Sequence, residues 1–287
     1  HRDLHSFPTR RSSDLTETVV GNSGSWNTLT GSDAELRMSG YLTVGWYGGG
    51  NTLRLTNSLI QATGLYVGRD VTSWGSNTLE FAGCTLTNTA FSFQFGMNSG
   101  GNAVTFRDGT SLAVSTASIG GSTNAPSNSV ILADRSTLLV AGQPFNLGNV
   151  SSHNTMIVDN SSFMVSNATF CIGYAKDMAN SNTFAVINGG YCYALRLRVG
   201  DQGSYTQLII SNGTVHAGTD NCTIPFNTSG SSTNNRIVFA GSHCLLKSET
   251  DIYVRCGTTL EFRIPRGGYQ EPPMQTIVTT GKNIALD

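Results

Sequence analysis

The stretch that decides the fold is "NTLRLTNSLIQATGLYVG", residues 51–68. It holds three short apolar runs separated by small polar residues, and it closes on a glycine. Leu53 and Leu55 alternate with polar neighbours, which puts both on one face of a β-strand. Asn57 then supplies a turn residue that tolerates a positive φ. Two further runs, Leu59–Ile60 and Leu65–Val67, lead to Gly68. A segment this short cannot bury three apolar faces by itself, so it needs copies of itself as neighbours.

Those copies are present on both sides. Units begin at Asn27, Asn51, Asn77, Asn102, Asn128, Asn154, Asn182, Thr206 and Asn235, spaced by 24, 26, 25, 26, 26, 28, 24 and 29 residues. Two positions after each start every unit is apolar: Leu29, Leu53, Leu79, Val104, Val130, Met156, Phe184, Leu208 and Ile237. Four positions after it only Gly31 departs from the apolar rule. Six positions after it every unit carries Asp, Asn or Gly, from Asp33 and Asn57 to Asn212 and Gly241. A second marker precedes the first unit at Gly21 and ends the first seven units at Gly45, Gly68, Gly96, Gly120, Gly148, Gly173 and Gly200, while Pro225 stands in its place in the eighth. A polar loop of variable length then leads to the next start.

Each unit therefore reads as three strands and three turns in about 26 residues, too few for a propeller blade of about 40–50. The fold class is all-β: a single-stranded parallel β-helix solenoid of about nine coils, with equivalent residues about 4.8 Å apart. A right-handed path is the expectation for crossover connections. Asn27, Asn51, Asn77, Asn102, Asn128, Asn154, Asn182 and Asn235 would then form a structural ladder at one corner, each amide bonding the next. The eight marker glycines are expected to be turn glycines.

Three regions follow. Residues 16–256 form the repeat domain. Residues 257–287 hold Pro265, Pro272 and Pro273, which remove ladder donors, so they are expected to be atypical strands or a cap, cut short. Residues 1–15, "HRDLHSFPTRRSSDL", match no column of the repeat. Their reverse translation resembles a short-read sequencing adapter along its whole length, so an adapter-derived, disordered segment is expected. Removing it takes the net charge from −1 to −2 and abolishes an apparent basic arm.

The spaced "NTL…(D/N)G…VG" units resemble the passenger repeats of autotransporter-type surface proteins, within the pectin-lyase-like superfold, over roughly residues 16–256. The resemblance implies export and surface display, with signal and anchoring regions outside this fragment. It implies secretion or a cell-surface location; surface glycans or polysaccharide are the partners expected from the loop aromatics described below.

Composition narrows the function further. Charged residues are 12% and the net charge is −1, so nothing argues for nucleic acid or an anionic membrane. No apolar run approaches the roughly 20 residues a membrane helix needs. The six cysteines show no metal spacing and sit in apolar runs, as buried small hydrophobes do. No motif calls for a cofactor or metal. Asp108 and Asp134 share a column on adjacent coils, a spacing that suits a carboxylate pair, although the same column elsewhere holds ordinary turn residues. Asp70, Asp177 and Asp201 follow the marker glycine and read as solvated loop charges. His153, His216 and His243 fall in unrelated columns.

All three tryptophans, Trp26, Trp46 and Trp74, lie with Tyr47 in the loop between marker glycine and Asn, on consecutive coils. Rings on one edge would suit stacking against sugars. The leading expectation is a non-catalytic structural or adhesive repeat region of an exported surface protein. A carbohydrate-binding or polysaccharide-degrading β-helix protein is the alternative.

Overall fold

A computed structural model describes residues 4–7, 12–70, 75–87, 92–175, 178–219, 222–224, 232–254, 258–263, 275–280 and 284–286. Trp74, Asp177 and Cys256 lie outside these residues. Strands make up 56%, helices are absent among the described residues, and parallel sheets stack as a β-solenoid of about nine turns. Among the described residues no helix is long and apolar enough to cross a membrane.

The first strand of every coil joins one sheet of 11 strands, from Leu4–Phe7 to Thr258–Arg263. Its columns are those of the repeat: Leu53 pairs with Leu79, Leu79 with Val104, Val104 with Val130 and Val130 with Met156. The second and third strands of the coils form two further faces. They count as a single sheet of 20 strands because two coils run both faces in one bent strand, Ser162–Ile172 and Tyr191–Val199.

Alternation decides what is buried. Inward residues of all three faces meet in one continuous core that runs the length of the stack. Phenylalanines fill its wide layers: Phe145, Phe163, Phe170 and Phe184 pack edge-on, with centroids 4.8–5.9 Å apart. Such offset rings add to the area they bury. The five described cysteines are free and buried. Cys84 and Cys244 sit just past the Asp/Asn/Gly turn and donate their thiols to strand carbonyls, Leu55 O at 3.3 Å and Ile210 O at 3.2 Å. Ser58, Thr110 and Ser161 occupy the same corner. Their hydroxyls accept the backbone N–H of the preceding coil at 3.1–3.2 Å.

Leu4–Phe7 and Ser12–Leu15 are strands, paired with the first two strands of the next coil through broken registers. The physical reason is that the open end of a solenoid presents unpaired N–H and C=O groups, which an extended segment satisfies. At the other end Thr258–Arg263, Gln275–Thr280 and Ile284–Leu286 continue all three ladders in register. The spacing is lost there because 11 residues separate Arg263 from Gln275, where the preceding coil needs two between Ala240 and His243. The three ladders therefore run on past residue 256.

Candidate functional site

The most regular chemistry lies at the corner where each coil begins. The backbone N–H and the side-chain Nδ2 of Asn27 both donate to Asn51 Oδ1, and the same double link joins Asn51, Asn77, Asn102, Asn128, Asn154 and Asn182 at 2.8–3.2 Å. Several ladder amides also donate to the loop carbonyl three residues upstream, as Asn102 does to Ser99 at 2.8 Å and Asn182 to Ala179 at 2.8 Å. Thr206 replaces Asn in the next coil, and its hydroxyl has no hydrogen-bond partner. The column resumes where Thr206 N–H donates to Asn235 Oδ1 at 2.9 Å.

Two details were not legible as functions of the pattern. The residue before each ladder start, from Trp26 to Asn234, adopts φ of 55–70°. That conformation costs about 1 kcal/mol for a non-glycine residue, and the ladder bonds offset it. The marker glycines also do more than turn. Gly96, at φ 61°, faces the Asn128 amide so closely that a Cβ there would overlap it. Glycine and asparagine columns are one device: the missing side chain makes room for the ladder.

The loop aromatics divide. Trp26 is 75% exposed and lies over Gly50 at the corner. Trp46 stacks on Tyr47, with centroids 5.9 Å apart and planes 21° from parallel. These two join a cluster that the sequence did not announce. Tyr41 and Tyr66 meet edge-on at 5.0 Å on neighbouring coils. Arg69 reaches over Trp46, Tyr66 and Tyr41, with its guanidinium carbon 4.1, 4.8 and 5.4 Å from the three ring centroids. Glu17 approaches the same guanidinium at 3.6 Å. Burial, then the neighbouring Tyr41 hydroxyl, raises the Tyr66 phenol above its ordinary value. The outer surface is aromatic: Tyr47 is 46% exposed and Tyr41 36%.

The charged candidates behave differently. Asp108 and Asp134 are adjacent left-handed turn residues, at φ 57° and 54°, and Gly109 N–H donates to the Asp134 carbonyl at 2.8 Å. The Asp108 carboxylate is engaged by Arg107, which also binds Glu80 at 2.9 Å. Asp201 corrects the reading of a solvated loop charge. It is 2% exposed, 3.6 Å from Arg198, and burial raises its carboxyl above the ordinary range. Cys171 beside it is the one described cysteine on an outward position, and burial pushes its thiol up.

His216 also has neighbours that its sequence position hides. The second face stacks Tyr193, His216 and Lys247 in one outward column. His216 Nε2 lies 3.1 Å from Glu249 Oε1, and Nδ1 lies 3.5 Å from the Tyr191 hydroxyl. Burial, then the Lys247 charge, lowers the imidazole below its ordinary value. Among the described residues no group of three or more His, Cys, Asp or Glu is placed to hold a metal ion.

Comparison with protein-family models, with curated proteins and with solved structures returns no match. What the chain's own geometry establishes is a parallel β-solenoid of about nine turns, consistent with β-helix repeats, carrying an aromatic–arginine patch near its N-terminal end.

Proposed function

We propose that this chain is a structural and adhesive repeat region of an exported surface protein, related to autotransporter-type passengers. One observation carries the reading: the core runs through successive coils and the corner ladder is broken only at Thr206, while the outward columns follow no such rule along the whole stack. In the first sheet the same column is polar or charged at Thr30, Arg54, Glu80 and Thr105 and turns aliphatic at Ile131, Ile157, Ala185, Ile209 and Val238, of which Ala185 and Val238 are buried. A stack that fixes its interior and frees its exterior suits a stiff spacer that displays binding surfaces. Export and surface location rest on the resemblance of the repeat units. Displaying the chain on a bacterial surface behind an export signal tests the reading. Display-dependent adherence to glycan-coated beads is expected, and adherence no greater than that of undecorated cells contradicts it.

A second reading, carbohydrate binding, is favoured by the Tyr41–Trp46–Tyr47–Tyr66 cluster, since exposed amphipathic rings suit sugar faces. Polysaccharide cleavage is separable from both. Reducing-end release that disappears in Asp134→Ala would replace the non-catalytic reading with an enzymatic one.

A further inference from the structure

The rings around Arg69 carry a statement about which sugars fit. A guanidinium recognises a carboxylate through its planar edge, by two parallel N–H bonds. In Arg69 that group is enclosed by three rings and approached by Glu17, and its Nη1 is shut off from solvent. An anionic ligand would therefore meet a cation already balanced by Glu17, with one arm of its fork closed off. What faces solvent is ring surface, chiefly Tyr47, backed by Trp46, and Tyr41.

We propose that this patch is a platform for neutral sugar units, without carboxylate or sulfate groups, and that Arg69 positions the rings and does not bind ligand charge. The inference rests on the carbohydrate reading above and narrows it to one ligand class.

Calorimetric titration of the full chain at low salt tests it, with cello- and xylo-oligosaccharides against oligogalacturonate as probes. Neutral chains are expected to bind about tenfold or more tightly than the uronate. Tyr47→Ala should cost about tenfold in neutral-sugar affinity with the melting temperature unchanged, because Tyr47 is exposed. Glu17→Gln, which leaves the Arg69 charge unopposed, should raise oligogalacturonate affinity about tenfold and leave neutral sugars unaffected. Equal or tighter uronate binding by the unaltered chain, or no gain in Glu17→Gln, overturns the neutral-sugar inference and leaves carbohydrate binding standing. Failure of every probe to bind overturns both.

Discussion

Replacing Asn128 with alanine is the sharpest perturbation of the corner ladder. Asn128 is 1% exposed and its side chain makes four hydrogen bonds. Two of the partners have alternatives: Asn102 Nδ2 keeps Ser99, and Asn154 Oδ1 keeps the backbone N–H of residue 128. The other two, Asn102 N–H and the Ala125 carbonyl, lose the bonds shown to them at 3.2 and 2.6 Å. A buried polar group left unpaired costs about 1–3 kcal/mol, so with two such groups the variant should lose about 2–6 kcal/mol. Asn188→Ala is the control. Asn188 is an exposed turn residue at φ 51°, and its replacement should cost about 1 kcal/mol of left-handed backbone preference. Urea unfolding followed by far-ultraviolet circular dichroism reads both, with an unchanged slope marking a true stability change. A loss in Asn128→Ala no larger than in Asn188→Ala would refute the reasoning.

Other consequences follow from the same geometry. Gly96→Ala should cost more than about 3 kcal/mol, since backbone strain adds to overlap with Asn128. Gly109→Ala, at φ 76° with open space around it, should cost about 1, and equal losses in urea unfolding would contradict the close-approach argument. Thr206→Asn should restore the interrupted column and stabilise by about 1 kcal/mol; a loss of stability would mean that corner rejects the longer amide. The folded-state pKa of His216 lies below its unfolded value, so its contribution is fully present above about pH 6.5 and is lost as pH falls toward the folded value. His216→Gln should remove part of the fall in melting temperature between about pH 7 and pH 5. An equally steep fall in the variant removes His216 as its source.

The fold was legible because inward columns answer to one another across coils. Leu53, Leu79 and Val104 must match in size and face, and that requirement leaves a period in the chain. The ladder asparagines were legible for the same reason. What the marker glycines make room for was not, because a glycine's sequence records only that a side chain is missing. The patch was half legible. Trp46 and Tyr47 are conspicuous in their loop, whereas Tyr41, Tyr66, Arg69 and Glu17 meet them from outward positions and loops, where no packing rule repeats. His216, Tyr191 and Glu249 were hidden likewise. Register brings His216 beside Lys247 across 31 residues, and that offset depends on the turn lengths between them.

The central claim is that the asparagine column locks the stack, and amide hydrogen exchange tests it most directly. The backbone N–H groups of Asn51, Asn77, Asn102 and Asn128 each donate to a buried side chain. They should exchange as slowly as amides of the core strands, such as Phe106 and Leu132, opening only with the stack itself. Exchange at the rate of an exposed loop amide such as Asn124 would contradict the account.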